Sequence, residues 1–170
     1  TNQKRYNNTM LFRMESEIPP VMPIRLKLEI NCFEHFTEMG LVEVPFSVGN
    51  KWFSGSCKIT TYQFAELLGT KLRALYQRKK GRDLFDLYVA LKQTDVNPDD
   101  VIRCYHKYMR FTVQQPPTYK QFILNMEEKI QDPDFLGDSQ LLLRPEISFN
   151  PQEAYLVVKE RLIDRLSWTR

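Results

Sequence analysis

The apolar residues of this chain change their spacing at Thr60, and that change limits the fold more than any other feature. Before it, Ile24, Leu26, Leu28 and Ile30 alternate with Arg25, Lys27, Glu29 and Asn31, the period of two that turns one face of a β-strand toward a core. After it, Phe64, Leu67, Leu68, Leu72 and Leu75 recur at intervals of three and four, the spacing of a helix with one buried stripe. A chain that makes this switch once, without alternating back, reads as a small β-sheet followed by a helical bundle, an α+β arrangement. The expected division is a sheet region over residues 1–59 and a helical domain over residues 60–170.

The sheet region carries further strand signals. Met10, Phe12 and Met14 share a face of Thr9–Glu15, the segment from Ile18 to Pro23 is a proline-rich connector, and Gly49-Asn50 separates Val42–Val48 from Lys51–Ile59 as the turn of a hairpin. Trp52 and Phe53 read as core or edge packing rather than as a base-stacking platform. Leu26, Leu28 and Ile30 are expected to bury against Leu68, Leu72 and Leu75. The opposite face of that strand, with Arg25, Lys27 and Glu29 in a row, is either a solvated surface or the wall of a polar cleft.

Beyond Thr60, helices are predicted over about 61–79, 83–93, 98–112, 118–131 and 151–167, with Thr60 or Thr61 capping the first and Pro98, Pro116-Pro117, Pro133, Pro145 and Pro151 marking the joints. A chain of 170 residues, 42% hydrophobic and 26% charged, can bury one good core or a core with a small annex. Its net charge of +3 permits an anionic ligand without requiring one. The three cysteines are widely spaced and have only two histidines for company, which argues against a structural zinc site and for a reducing cytoplasm. No apolar run approaches the roughly 20 residues that span a bilayer, and no glycine-rich phosphate loop is present. His35 and His106 lack a cysteine or serine nucleophile motif beside them and read as surface or packing residues.

The stretch from Thr60 to Leu91 holds the chemistry. Lys71 falls on the apolar stripe, three residues after Leu68 and four before Leu75, so its ammonium is aimed where an aliphatic group is expected and needs a partner. After the basic turn Arg78-Lys79-Lys80-Gly81-Arg82, a second helix opens at Asp83 and places Asp86 three residues later on the same face, with Leu84, Phe85, Leu87, Tyr88, Val89 and Leu91 around them. Asp86 is therefore expected to be held inside near a cation, while Asp83 suits a helix cap or first turn. A structural ion pair between two helices and a site that handles charge on a ligand both fit this pattern.

The runs RLKLEIN and TYQFAELLGTKLRALYQRKKGRDLFDLYVAL resemble the second half of the AbiEii-type nucleotidyltransferase toxins, the toxin component of abortive-infection toxin–antitoxin systems. TKLRAL and RDLFDL are the specific part, and the resemblance covers residues 9–110 best. It implies a nucleotidyltransferase fold of the DNA polymerase β type, of which residues 1–59 would be a sheet remnant. It also implies Mg²⁺, a nucleoside triphosphate, transfer of a nucleotide to tRNA, another RNA or a protein, and a cognate antitoxin. Carried over by position, it assigns Lys71, Asp83 and Asp86 to catalysis, Lys27, Lys71 and Arg82 to nucleotide binding, and Glu29 to metal. The family's early Gly-Ser turn and DxD carboxylate pair have no counterpart before residue 24, so the chain is expected to lack an N-terminal portion and to be inactive alone. A non-catalytic helical binding module, with RNA held by the basic turn at Arg78–Arg82, is the other reading.

Overall fold

A computed structural model of the chain describes residues 2–4, 7–144 and 146–167; Pro145, one of the expected joints, lies outside them. The α+β class holds. The chain forms two compact units, Thr1–Phe36 and Thr37–Arg170.

The first unit is a three-stranded antiparallel sheet in the order β1 (Asn2–Lys4), β2 (Asn7–Glu15), β3 (Pro23–Asn31). Its register pairs Met10 with Leu28, Phe12 with Leu26 and Met14 with Ile24, so the alternation seen in the sequence does build one apolar face. The burial expected for that face is not seen: Leu26, Leu28 and Ile30 stay 56%, 46% and 44% exposed. Leu68, Leu72 and Leu75 are instead covered by apolar residues of the other helices, which leaves them no need of a sheet.

The second unit opens with a hairpin of β4 (Leu41–Gly49) and β5 (Ser54–Tyr62), closed where the Asn50 side chain accepts hydrogen bonds from the backbone N–H groups of Trp52 and Phe53. Trp52 and Phe53 stand out at its tip, 77% and 63% exposed, and are not core. The hairpin thus groups with the helices in one compact unit, although the change of hydrophobic period falls at its far end. β5 runs through Thr60 and Thr61, so neither caps the helix that follows; Gln63 occupies that position.

Among the described residues of the unit, six α-helices follow: α1 (Phe64–Gln77), α2 (Gly81–Gln93), α3 (Pro98–Thr112), α4 (Tyr119–Lys129), α5 (Pro133–Gly137) and α6 (Pro151–Arg161), with a 3₁₀ segment at Ile163–Ser167. Their starts follow from local chemistry. Asn97, Asp132 and Asn150 each accept a backbone N–H just ahead of a proline that needs no partner, and Thr118 and Gln121 form a reciprocal capping box. Two glycines set the distances that matter for the site. A side chain at Gly69 would meet the Val101 carbonyl oxygen and the Tyr105 nitrogen at 2.9 Å, so α1 and α3 cross almost backbone to backbone. At Gly81 it would meet the Phe135 carbonyl oxygen at 2.0 Å, so the start of α2 is pressed against α5.

Candidate functional site

α1 ends and α2 begins within three residues, Arg78 to Lys80, which brings the second half of α1 alongside the first turns of α2. Lys71 reaches from α1 to both carboxylates: its ammonium lies 2.6 Å from Asp86 Oδ2 and 3.2 Å from Asp83 Oδ1. The two acids are not equivalent. The Asp83 side chain is 1% exposed and the Asp86 side chain 44%, the reverse of the sequence expectation. α2 begins at Gly81, so Asp83 is in its first turn and shares the buried arc with Leu84, Leu87 and Leu91, while Asp86 sits at the edge of that arc.

A second cation shares the buried acid. Arg78 Nη2 lies 2.9 Å from the same Asp83 Oδ1, and its side chain is 55% exposed. Asp83 Oδ2 is buried and has no hydrogen-bond partner among the described residues. Burial works to lower the Lys71 pKa, but the hydrogen bond and charge of Asp86, joined by those of Asp83, outweigh it and hold the ammonium above the usual lysine value. The group is therefore a fixed positive charge rather than a proton donor near neutral pH.

Beneath this pair lies Lys129 of α4, 7% exposed, whose ammonium donates to the Leu75 carbonyl at 2.5 Å and the Tyr76 carbonyl at 2.7 Å. It satisfies carbonyls that α1 leaves unpaired at its C-terminal end. Burial pushes its pKa down to about 8, opposed by the charge of Asp83. The rest of the basic turn is engaged by carboxylates from the segment around α5. Lys79 pairs with Asp132, and Lys80 and Arg82 both pair with Asp138, the latter also donating its backbone N–H to Asp138 Oδ2 at 3.2 Å.

A buried acid that sequence reasoning passed over lies one and a half turns before Lys71. Glu66 is fully buried and accepts from the Thr37 hydroxyl at 2.8 Å, the Glu38 and Met39 backbone N–H groups at 2.7 and 3.0 Å, and the Tyr108 hydroxyl at 2.6 Å. Desolvation alone would raise its pKa; the four hydrogen bonds, Tyr108's foremost, reverse the sign and hold it below the usual glutamate value. The only signal in the sequence was the flanking pair of small residues, Ala65 and Gly69, which marks that side of α1 as pressed against a neighbour.

In the first unit, Lys27 and Glu29 pair with each other at 2.7 Å on the exposed face of β3, with side chains 55% and 54% exposed. Among the described residues no three histidine, cysteine, aspartate or glutamate side chains converge as a metal site. The Mg²⁺ ions that the family resemblance implies do not fit the donors present: Glu29 is a single carboxylate tied to Lys27, and Asp83 and Asp86 both face Lys71. His106 is half-buried against Tyr105, with burial and then the Arg110 charge lowering its pKa, as befits a packing residue.

The family model described as "Nucleotidyl transferase AbiEii toxin, Type IV TA system" matches residues 1–156 of the 170. The chain belongs to the AbiEii family. AbiEii proteins are nucleotidyltransferase toxins of type IV toxin–antitoxin systems, so a transferase activity and an antitoxin partner follow at the level of the family. Neither the curated proteins nor the solved structures contain a match. Among the described residues of this AbiEii chain, no helix is long and apolar enough to cross a membrane.

Proposed function

We propose that this chain contributes the lysine-centred part of an active site that transfers a nucleotide from a nucleoside triphosphate to an RNA acceptor. The observation that carries the reading is Lys71. Its side chain is 36% exposed, lies on a helix locked to α3 at Gly69, and is held by one buried and one half-exposed carboxylate. When an acceptor oxygen attacks the α-phosphorus and pyrophosphate leaves, negative charge builds on the departing oxygens. A cation already in place stabilises that charge without reorganisation. Asp83 and Asp86 act on Lys71, orienting it and keeping it protonated. Arg78, on the same Asp83 oxygen, adds a second cation within reach of the same anion.

The RNA-binding module reading draws less support. Each cation of its basic turn is paired with one of three acids, Asp83, Asp132 and Asp138, and a patch so paired has less free charge to exchange for counterions than its four cations suggest.

Lys71→Met keeps the aliphatic stem and removes the charge. Asp83 retains Arg78, so the fold is expected to survive at a cost of about 1–2 kcal/mol, discounted for the exposure of the pair. Labelled-nucleotide transfer to a cellular RNA pool by the full gene product, and its growth inhibition, are expected to vanish in Lys71→Met and to fall in Asp86→Asn, with both variants melting cooperatively. Full transfer by either variant removes Lys71 and Asp86 from the site. Glu29→Gln, assayed alongside, reports whether the acid on β3 takes part at all.

A further inference from the structure

A second concavity lies in the helical unit, where the end of α1, the end of α3 and the start of α4 meet. It encloses about 430 Å³, within the range of small-ligand pockets, and no charged side chain lines it. Its walls are Tyr76 and Gln77 of α1, Met109 of α3, Pro116 and Pro117 of the α3–α4 connection, and Gln121 of α4. We infer that this pocket binds a nucleobase.

Three features select that chemistry. First, two amides are free to meet a ligand: Gln77 and Gln121 are exposed, so their spare donors are paired by water that a base edge can replace. Among the described residues Gln77 Nε2 finds only the Met109 sulfur at 3.8 Å, a weak acceptor. Gln121 Oε1 accepts from the Thr118 backbone N–H at 2.8 Å and the Thr118 hydroxyl at 3.0 Å, which fixes the carboxamide and leaves its Nε2 donor without an acceptor among the described residues. Carboxamides pair with base edges through one donor and one acceptor each. Second, the aromatic wall is held in place. The Tyr76 ring rests on Phe122 at 5.2 Å between centroids, and its carbonyl is gripped by Lys129, so the ring gives a stacked ligand a surface that is already ordered. Third, the absence of a lining cation means that a phosphate gains nothing inside, so a nucleotide would enter base first with its phosphate toward solvent. Pro116 and Pro117 add stiff apolar lining.

The pocket is separate from the Lys71 cluster and its assignment does not rest on transfer chemistry. It takes a base from either of two sources, a free nucleotide or a single strand of RNA.

The test is a titration of the 170-residue protein, followed at the Met109 methyl resonance by NMR. The ligands are the four ribonucleoside monophosphates, ribose 5-phosphate as the base-free control, and a short single-stranded oligoribonucleotide. Gln77→Ala removes one amide. Gln121→Glu keeps the capping oxygen, so helix α4 is preserved, but replaces the free donor with a charged acceptor; ribose 5-phosphate titrated into the same variant measures the part of any loss that is charge repulsion. At least one base-bearing ligand is expected to shift Met109, and each variant to weaken that binding about tenfold with an unchanged melting temperature. Tighter binding of the oligonucleotide assigns the pocket to an RNA strand, and equal binding assigns it to free nucleotide. Equal shifts with ribose 5-phosphate, no shift with any ligand, or undiminished binding in both variants overturns the assignment.

Discussion

Glu66 and Asp83 are both acids sealed inside the helical unit, and they are satisfied in opposite ways. Glu66 takes all its hydrogen bonds from uncharged donors, two backbone amides and two hydroxyls. Asp83 takes its bonds on one oxygen, from two cations that are themselves half in water. In the first arrangement the charge is absorbed locally and nothing faces outward. In the second the buried acid works as an anchor, and the charge that solvent or a ligand meets is positive. A carboxylate's burial therefore tells little about function until its donors are known.

The largest expected effect comes from Glu66. Glu66→Gln keeps one acceptor but turns the other into a donor facing donors, and is expected to cost about 3 kcal/mol, a fall of roughly 6–12 °C in melting temperature at this chain length. Transfer per folded molecule should be unchanged. A Glu66→Gln protein that melts normally but transfers nothing would erase the contrast, since Glu66 would then be serving the site.

Asp83→Asn comes next. It releases Lys71 and Arg78 from a common anchor, with a loss of about 1–3 kcal/mol because the cations can still turn to water. Activity should fall as far as in Lys71→Met. Asp83→Asn with full transfer would make the cluster a structural ion pair.

The third test is the dependence of stability on pH. Glu66 has a folded pKa below its unfolded value near 4.5. The unfolded chain therefore binds its proton first as pH falls, and the stability Glu66 contributes is present above pH 4.5 and lost below it. Urea titrations at pH 7 and pH 3 are expected to show the gap between wild type and Glu66→Gln narrowing at the lower pH. Lys71 has the opposite sign: its pKa is raised above 10.5, so its contribution is present below that value and lost at higher pH. A gap that persists undiminished at pH 3 would mean that Glu66 is not ionised in the fold.

Asp86→Asn is expected to change stability least, by under about 1 kcal/mol, because the acid is 44% exposed. Its mark should be spectroscopic, a downward move of the Lys71 ammonium pKa seen by NMR. No move would show that Asp83 alone tunes the lysine.

What could be read in advance follows from the range over which each interaction acts. The β2–β3 register and the stripe on α1 rest on periods within one segment, and prolines with their caps mark α3 and α6 directly. Lys71 stood out because a charge on an apolar stripe breaks a local pattern. Asp83 and Asp86 were found but exchanged in burial, since residues three apart share a face and only the placement of α5 and α4 decides which is covered. α5 was missed because five residues carry no period. Glu66 was invisible for a different reason: its donors come from residues 37–39 and 108, brought together only by the tertiary fold. The burial expected for the apolar face of β3 failed because a stripe on one helix does not say which element will cover it.

Gly81 has a consequence for how this region can drift. Its hydrogen atom faces the Phe135 carbonyl at a separation that admits no other side chain, and Asp83 follows two residues later in the same first turn. Any replacement at 81 must tilt α2 or displace α5, and either motion carries Asp83 away from Lys71 and Arg78 and Asp138 away from Arg82. One position without a side chain thus sets the tolerance of the whole charge cluster. Changes that accumulate freely on the outer faces of α2 and α5 meet a hard stop there.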